Sequence, residues 1–432
     1  MRHDRSVFFR RLCHSLFNGK FLGKIRRHLF RVDRIRNTLA RLALRHPVEP
    51  RKVLFCSFSG GVECNPKYIA LELARRRKDV DIVWFIDNHA WRRHRASMPE
   101  GMRCVRMWTY HAMKEAATAK IVVENAQRLL FRDVPPKRAE QYLVNTWHGS
   151  LGIKRLSTAK TSVRRKAQIL EEQVDVVLTD SKFEEEVFST SFFPRTPKLR
   201  IGHARNDVFY LPLAEREAIA SRVRLSLGIG EGEKIALYAP TFREATFFLN
   251  ANGLDFVAWV KSLASRFGGK WRIAVRLHPH DARALEDGVF SLPKSVLDLS
   301  SYEDIQELLV MADVCITDYS SLIFDFLHSR KPGFIYAPDK AKYDENRGFC
   351  YPLEETPFPI AETEAELCSC IETFDAARFA ERADEFIAVR GAMEEAGAAR
   401  RAVDLIEALL NNDESSIRPS GVLRDAGQEG SS

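Results

Sequence analysis

From Arg51 onward, short apolar runs alternate with longer stretches whose apolar positions recur every three or four residues. The runs Val53–Phe58, Val80–Ile86, Ile121–Glu124, Tyr142–Trp147, Val174–Thr179 and Lys198–Ile201 read as strands. A helix is expected from Pro66 to Arg77, and a charged one before Val174. Near-continuous apolar runs suit strands buried on both faces, and strand–helix alternation means a parallel sheet covered on each side. A polar helical stretch from Pro212 to Leu227, closed by Gly228 and Gly230, marks a crossing between domains. A second series follows: strands at Ile235–Tyr238, Trp271–Leu277, Val296–Asp298, Val314–Thr317 and Gly333–Tyr336. Its helices fall at Phe256–Phe267, Ile305–Ala312, Ser321–Ser329, Ala376–Glu395 and Ala398–Leu410. The expected architecture is α/β, with two Rossmann-like domains over 49–211 and 212–410 facing a cleft. Ligands in such sheets sit beyond the carboxyl ends of the strands.

The two ends of the chain break this pattern. Residues 1–48 carry apolar positions at Phe8, Leu12, Leu16, Phe17, Phe21, Ile25, Leu29 and Val32, one helical stripe among many Arg and Lys. A basic amphipathic helix of this kind fits the surface of an anionic membrane. A helix packed on the protein's own domains, or an RNA-binding arm, would share the pattern. Residues 411–432 are rich in Ser, Gly, Asp and Glu without periodicity, and read as a disordered tail.

Charge sharpens the picture. The net charge of +8 over 432 residues is uneven. Between Met1 and His46, 13 Lys and Arg face two acids, a local +11 that leaves the remainder at −3. That argues against a general nucleic-acid surface and for a local anchor. No run of about 18 apolar residues is present, so no membrane-spanning helix is expected, and no secretory signal is evident. The eight cysteines are scattered without a CxxC pair, which suits reduced thiols and makes a Cys metal site improbable.

Four clusters at strand ends carry candidate chemistry. Asn145-Thr146-Trp147-His148-Gly149-Ser150, with Lys154 and Arg155 beyond, delivers an imidazole onto a glycine turn, suited to taking a proton from an alcohol. The same His fits a backbone-bonded cap. Tyr238-Ala239-Pro240-Thr241-Phe242-Arg243 offers a guanidinium that grips phosphate in two parallel bonds, or else a surface ion pair. Arg276-Leu277-His278-Pro279 sets two donors about 6–7 Å apart on one side of a strand, suited to a diphosphate. An Arg satisfied by carbonyls fits that pattern equally. Thr317-Asp318-Tyr319-Ser320-Ser321 runs straight into a helix, whose free amides make an anion site, or simply a cap. Asp325, one turn on, is expected to face the cleft and accept from a hydroxyl.

Together and in this order, the four clusters resemble the CDP-glycerol glycerophosphotransferase family of teichoic-acid primases and polymerases and related capsule polymerases. Asn65-Pro66-Lys67-Tyr68, Gly202 with Arg205-Asn206-Asp207, and Lys331-Pro332 through Arg347-Gly348-Phe349 extend the match. Ser150-Leu151-Gly152-Ile153-Lys154 and Ala204 depart from the family's usual Thr-Pro-Leu-Lys and Pro. The resemblance implies a GT-B-like fold and a CDP-linked polyol donor, most simply CDP-glycerol. The implied acceptor is a hydroxyl on a membrane-bound glycan or polymer, with CMP released at the cytoplasmic face of the membrane. It implies catalytic roles for His148 and His278, and donor binding by Trp147, Gly149, Ser150, Arg243, Arg276, Ser320, Ser321 and Asp325. No Asp-x-Asp motif suits a metal-bound nucleotide, so neither metal nor cofactor is expected. A CDP-ribitol enzyme, a GT-B glycosyltransferase using a nucleotide sugar, and a non-catalytic membrane scaffold are the rival readings.

Overall fold

The computed structural model describes residues 33–126, 135–156, 161–241, 254–278, 281–282, 285, 287–289, 291–393 and 395–417. The first sheet contains β1 (Glu49–Cys56), β2 (Asp81–Ile86), β3 (Met102–Arg106), β4 (Ala119–Glu124), β5 (Tyr142–Asn145), β6 (Val176–Thr179) and β7 (Lys198–Arg200). Its order is β3-β2-β1-β4-β5-β6-β7, with parallel pairing throughout. The second contains β8 (Glu233–Tyr238), β9 (Lys270–Val275), β10 (Leu297–Asp298), β11 (Val314–Thr317), β12 (Gly333–Tyr336) and β13 (Ile360–Ala361). Its order, β10-β9-β8-β11-β12-β13, is also parallel. Each sheet reverses its winding beside its first strand, between β1 and β4 and between β8 and β11. Those reversals open crevices where ligands bind in doubly wound folds.

Period-2 alternation splits each first strand between two cores. Val53 and Phe55 enter the layer under helix Cys64–Arg76, while Leu54 and Cys56 enter the opposite layer with Phe188 and Phe193. Ala236 and Tyr238 face Trp259, whereas Ile235 and Leu237 face Leu308 and Leu309. This two-domain α/β arrangement matches the sequence reading. The strands that reading passed over, β3 and β13, are an edge strand bearing two arginines and a two-residue strand.

Two segments cross the expected boundary at residue 211. Helix Ala398–Leu410 packs on the first domain, where Val403, Ile406 and Leu409 join Ile69 and Leu73. Asp207 anchors its start by accepting from Gly397, Ala398 and Ala399 amides at 3.1, 2.9 and 2.8 Å. Conversely, Leu151 and Ile153 leave the first domain and bury in the second domain's core. Backbone bonds from Arg155 to Gly348 (3.0 Å) and from Cys350 to Ile153 (2.7 Å) hold them there.

The ends also differ from expectation. The stripe from Phe8 to Val32 lies outside the described residues. Helix Asp33–Ala43 is not a free anchor: Leu39 and Ala43 pack on Met113 and Ala117 of helix Tyr110–Thr118. At the other end, residues 412–417 are tied to the first domain: Lys120 binds Asn412 (2.6 Å) and Tyr142 binds Glu414 (2.9 Å). The remainder of the expected tail lies outside the described residues.

Candidate active site

The carboxyl ends of the two sheets face each other. Lys154, beyond β5, reaches Thr241 beyond β8 at 3.4 Å. Lys67 meets Asp304 at 2.5 Å, and His94 Nε2 meets Glu303 at 2.5 Å. At the centre, Arg205 bonds Asp325 through Nε (2.9 Å) and Nη2 (3.0 Å), both side chains being buried.

His148 owes its position to a strained turn. β5 ends at Asn145, whose Oδ1 accepts the Trp147 amide at 2.9 Å. Trp147 itself is in the left-handed region at φ +49°, unfavourable for a residue with a Cβ. Its indole is locked among Phe188, Phe192 and Phe193, so burial of the ring offsets the strain. The chain is thereby turned so that His148 projects outward, its ring stacked on Trp147 at 5.0 Å. Gly149 follows with its carbonyl held by Arg205 at 2.9 Å. A side chain there would meet the Trp147 indole nitrogen at 3.2 Å, so the glycine serves the packing of Trp147.

The hydrogen bonds of His148 define its tautomer. Nδ1 lies 2.6 Å from the Asn125 carbonyl oxygen, which can only accept. Nδ1 therefore carries the proton, and Nε2 of the neutral ring keeps its lone pair. Loss of water from the crowded ring pulls its pKa below the usual histidine value, although the outer edge stays open to solvent. The bond to Asn125 opposes that shift, while Arg205, Lys154 and His203 reinforce it. The result is a neutral imidazole at neutral pH with one nitrogen ready to accept.

Several expected donor contacts have other work. Trp147 is buried in the first domain's core, and the buried Ser150 donates to Asp180 at 2.6 Å. Asp325 does not face the cleft: its oxygens accept from Arg205, from Asn206 at 3.1 Å and from Gln306 at 3.2 Å. A carboxylate so buried and so fully bonded has no oxygen left for a substrate hydroxyl. Arg276 points its guanidinium at the carbonyls of Tyr302 (2.5 Å) and Glu303 (3.4 Å), the carbonyl-bound alternative left open by the sequence.

The other expected residues stay at strand ends. His278 is exposed just beyond β9. Ser321 stands before helix Leu322–Leu327 without spending its hydroxyl on the helix backbone, and Ser320 precedes it, half-buried. Asp318 ties the loops after β8 and β11 together, accepting from the Thr241 amide (2.9 Å) and hydroxyl (2.5 Å). Arg243 lies outside the described residues.

One buried cluster has the composition of a metal site. Asp180, Glu184 and His203 bring ligand atoms within 4.8 Å of one another. His203 Nε2 lies 3.2 Å from Glu184 and 3.4 Å from Asp180. Burial and the neighbouring Asp180 push Glu184 up to about 7. Asn65 decides the donor pattern. Its Oδ1 accepts from the Arg205 amide (3.2 Å), while Nδ2 donates to Thr146 O (3.0 Å) and faces His203 Nδ1 at 3.2 Å. Nδ1 therefore faces a donor, and the Nε2 proton points at the acids. Burial disfavours the charged ring, but Glu184 and Asp180 outweigh it and raise the His203 pKa. A cation on Nε2 would require a proton on Nδ1, directly against the Asn65 amide. The cluster is a hydrogen-bonded brace beneath the His148 turn.

Comparison with known proteins places this arrangement. The family described as CDP-glycerol:poly(glycerophosphate) glycerophosphotransferase matches residues 38–408. The chain belongs to this glycerophosphotransferase family. It is 27% identical to the teichoic acid poly(glycerol phosphate) polymerase of Bacillus subtilis (strain 168), covering 82% of this chain and 48% of that protein. A polymerase of the same description from Bacillus spizizenii is 28% identical, covering 82% of this chain and 90% of the relative. The chain thus spans about half of one relative and most of the other. A solved structure of the wall teichoic acid polymerase TagF superposes with a TM-score of 0.74 at 24% identity, covering 91% of this chain and 98% of that one. That likeness establishes the GT-B-like fold, and family membership makes the chain a transferase. Asn125, Arg205 and Lys154 hold or surround His148; the sequence had marked only Arg205, as part of a motif, and Lys154, as a nearby cation.

Proposed function

We propose that the chain transfers glycerol phosphate from CDP-glycerol to a hydroxyl of a membrane-bound glycan or polymer, releasing CMP. The observation that carries this reading is the neutral His148, with Nδ1 pinned to Asn125 O and Nε2 left as an acceptor. In the proposed step, Nε2 takes the proton of the acceptor hydroxyl as its oxygen attacks the polyol-bearing phosphorus. The bond from that phosphorus to the CMP oxygen breaks, and CMP leaves with the electron pair. Phosphoryl-type transfer needs mainly positioning and charge neutralisation. Lys154 and Arg243 would neutralise the diphosphate, with His278 donating an N–H to it and Ser320 and Ser321 beside it. Arg276 would then brace the loop after β10.

Glycerol is favoured over ribitol because the family is described by glycerol phosphate and two poly(glycerol phosphate) polymerases align over 82% of this chain. A poly(ribitol-phosphate) polymerase is 24% identical over 76% of it. No helix among the described residues is long and apolar enough to cross a membrane. Peripheral contact at the cytoplasmic face is part of the proposal. The outer face of helix Asp33–Ala43 exposes Ile35 and Leu42 beside Arg34 and Arg41, suited to an anionic surface together with the basic segment before it. The test is incubation of the purified protein with CDP-glycerol, CDP-ribitol and UDP-sugars. Release of CMP with transfer of glycerol phosphate supports the proposal; consumption of a UDP-sugar with transfer of sugar, or of no donor, overturns it.

A further inference from the structure

Phe58 is the most exposed Phe, Tyr or Trp among the described residues, at 43%. A single exposed apolar side chain ordinarily needs no explanation. Here two features demand one. First, the ring stands 5.3 Å from the His148 ring, tilted by 32°, at the crevice where the first sheet reverses. Second, its loop is built rigidly enough to hold it in the open. The Phe58 amide donates to Asn125 Oδ1 at 2.8 Å, and the Ser57 hydroxyl donates to Gly61 O at 2.7 Å. Gly60, at φ +80°, donates to Ser57 O at 3.0 Å and accepts from the Asp87 amide at 2.8 Å. The same Asn125 holds His148 through its carbonyl and the Phe58 main chain through its side chain. One residue therefore sets the spacing between a proton acceptor and an exposed aromatic face.

From this geometry we infer that Phe58 is the platform for the acceptor, receiving the C–H face of the sugar or polyol unit that carries the attacking hydroxyl. An aromatic face is electron-rich and apolar, so it attracts polarised C–H groups while leaving the hydroxyls free for polar partners. Laid on Phe58, such a unit presents a hydroxyl toward His148. The inference rests on the proposed role of His148 as base.

The test is direct binding in the absence of donor, by calorimetry on the full chain. The probes are two acceptor analogues, one ending in a pyranose and one ending in glycerol phosphate. Phe58→Ala should weaken binding of at least one analogue roughly tenfold, and Phe58→Tyr should restore it. Whichever analogue responds identifies the unit on the ring. Affinity for CDP-glycerol should not change. Equal acceptor affinity in Phe58→Ala and wild type would overturn the inference, as would failure of both analogues to bind the wild type. An equal loss of donor affinity would place Phe58 in the donor site and overturn it too. A parallel turnover assay with CDP-glycerol keeps the two readings apart, since failure of turnover with intact Phe58-dependent binding removes the proposed reaction alone.

Discussion

The two reversal points share a topology but use their polar groups differently. Between β1 and β4, Asn125 occupies Nδ1 of His148 and leaves a nitrogen facing the cleft. Between β8 and β11, Asp318 is spent on Thr241, so its charge closes two loops instead of meeting solvent. The first crevice presents an imidazole to solvent; the second folds its carboxylate into the loop backbone. What separates them is whether local hydrogen bonding consumes a titratable group or only orients it. Motif position alone does not tell which.

Substitutions can break or sharpen this contrast. The largest effect is expected from His148→Ala, which should reduce turnover roughly 100- to 10,000-fold, the range typical of a lost general base. Donor affinity in calorimetry should stay near wild type, and a matching fall in donor affinity would move His148 out of the proposed role. Next is Arg205→Ala, which leaves the buried Asp325 without its cation between the domains. A stability loss of about 3–5 kcal/mol in denaturant unfolding is expected, because a broken buried pair leaves an uncompensated charge. A loss below about 1 kcal/mol would show that Asn206 and Gln306 suffice for Asp325. Smaller still, Arg243→Lys should weaken CDP-glycerol binding, since an ammonium cannot make two parallel bonds to phosphate, while leaving the ligand-free melting temperature unchanged. Unchanged affinity would put Arg243 outside the donor site.

Much of the fold was legible because strands buried on both faces are apolar with little interruption, as in β11 and β12. Edge strands carry no such signal: β3 is Met-Arg-Cys-Val-Arg, neither continuously apolar nor strictly alternating, and was passed over. Helix Ala398–Leu410 was visible by its periodicity, but an apolar stripe does not say which sheet it will cover. The candidate site divides in the same way. His148 stands out at the end of a strand beside glycine, whereas its partner is a main-chain carbonyl, which any residue supplies. Asp325 looked free because Arg205, 120 positions away, leaves no local trace of the pairing. Burial of Trp147 and Ser150 likewise depends on helix Lys182–Ser189 and on Asp180, elements that the motif around His148 does not contain.

The central claim, that neutral His148 is the base for transfer from CDP-glycerol, is tested most directly by the pH dependence of turnover at saturating donor and acceptor. Crowding and nearby cations favour the neutral ring, so protonation should silence it only at acid pH. The account predicts a rate that rises with pH through a single inflection below the ordinary histidine value of about 6.5 and is flat from there through neutrality. The residual activity of His148→Ala should lack that inflection. A wild-type rate that falls as pH rises through this range, or an acid limb that persists unchanged in His148→Ala, would contradict it.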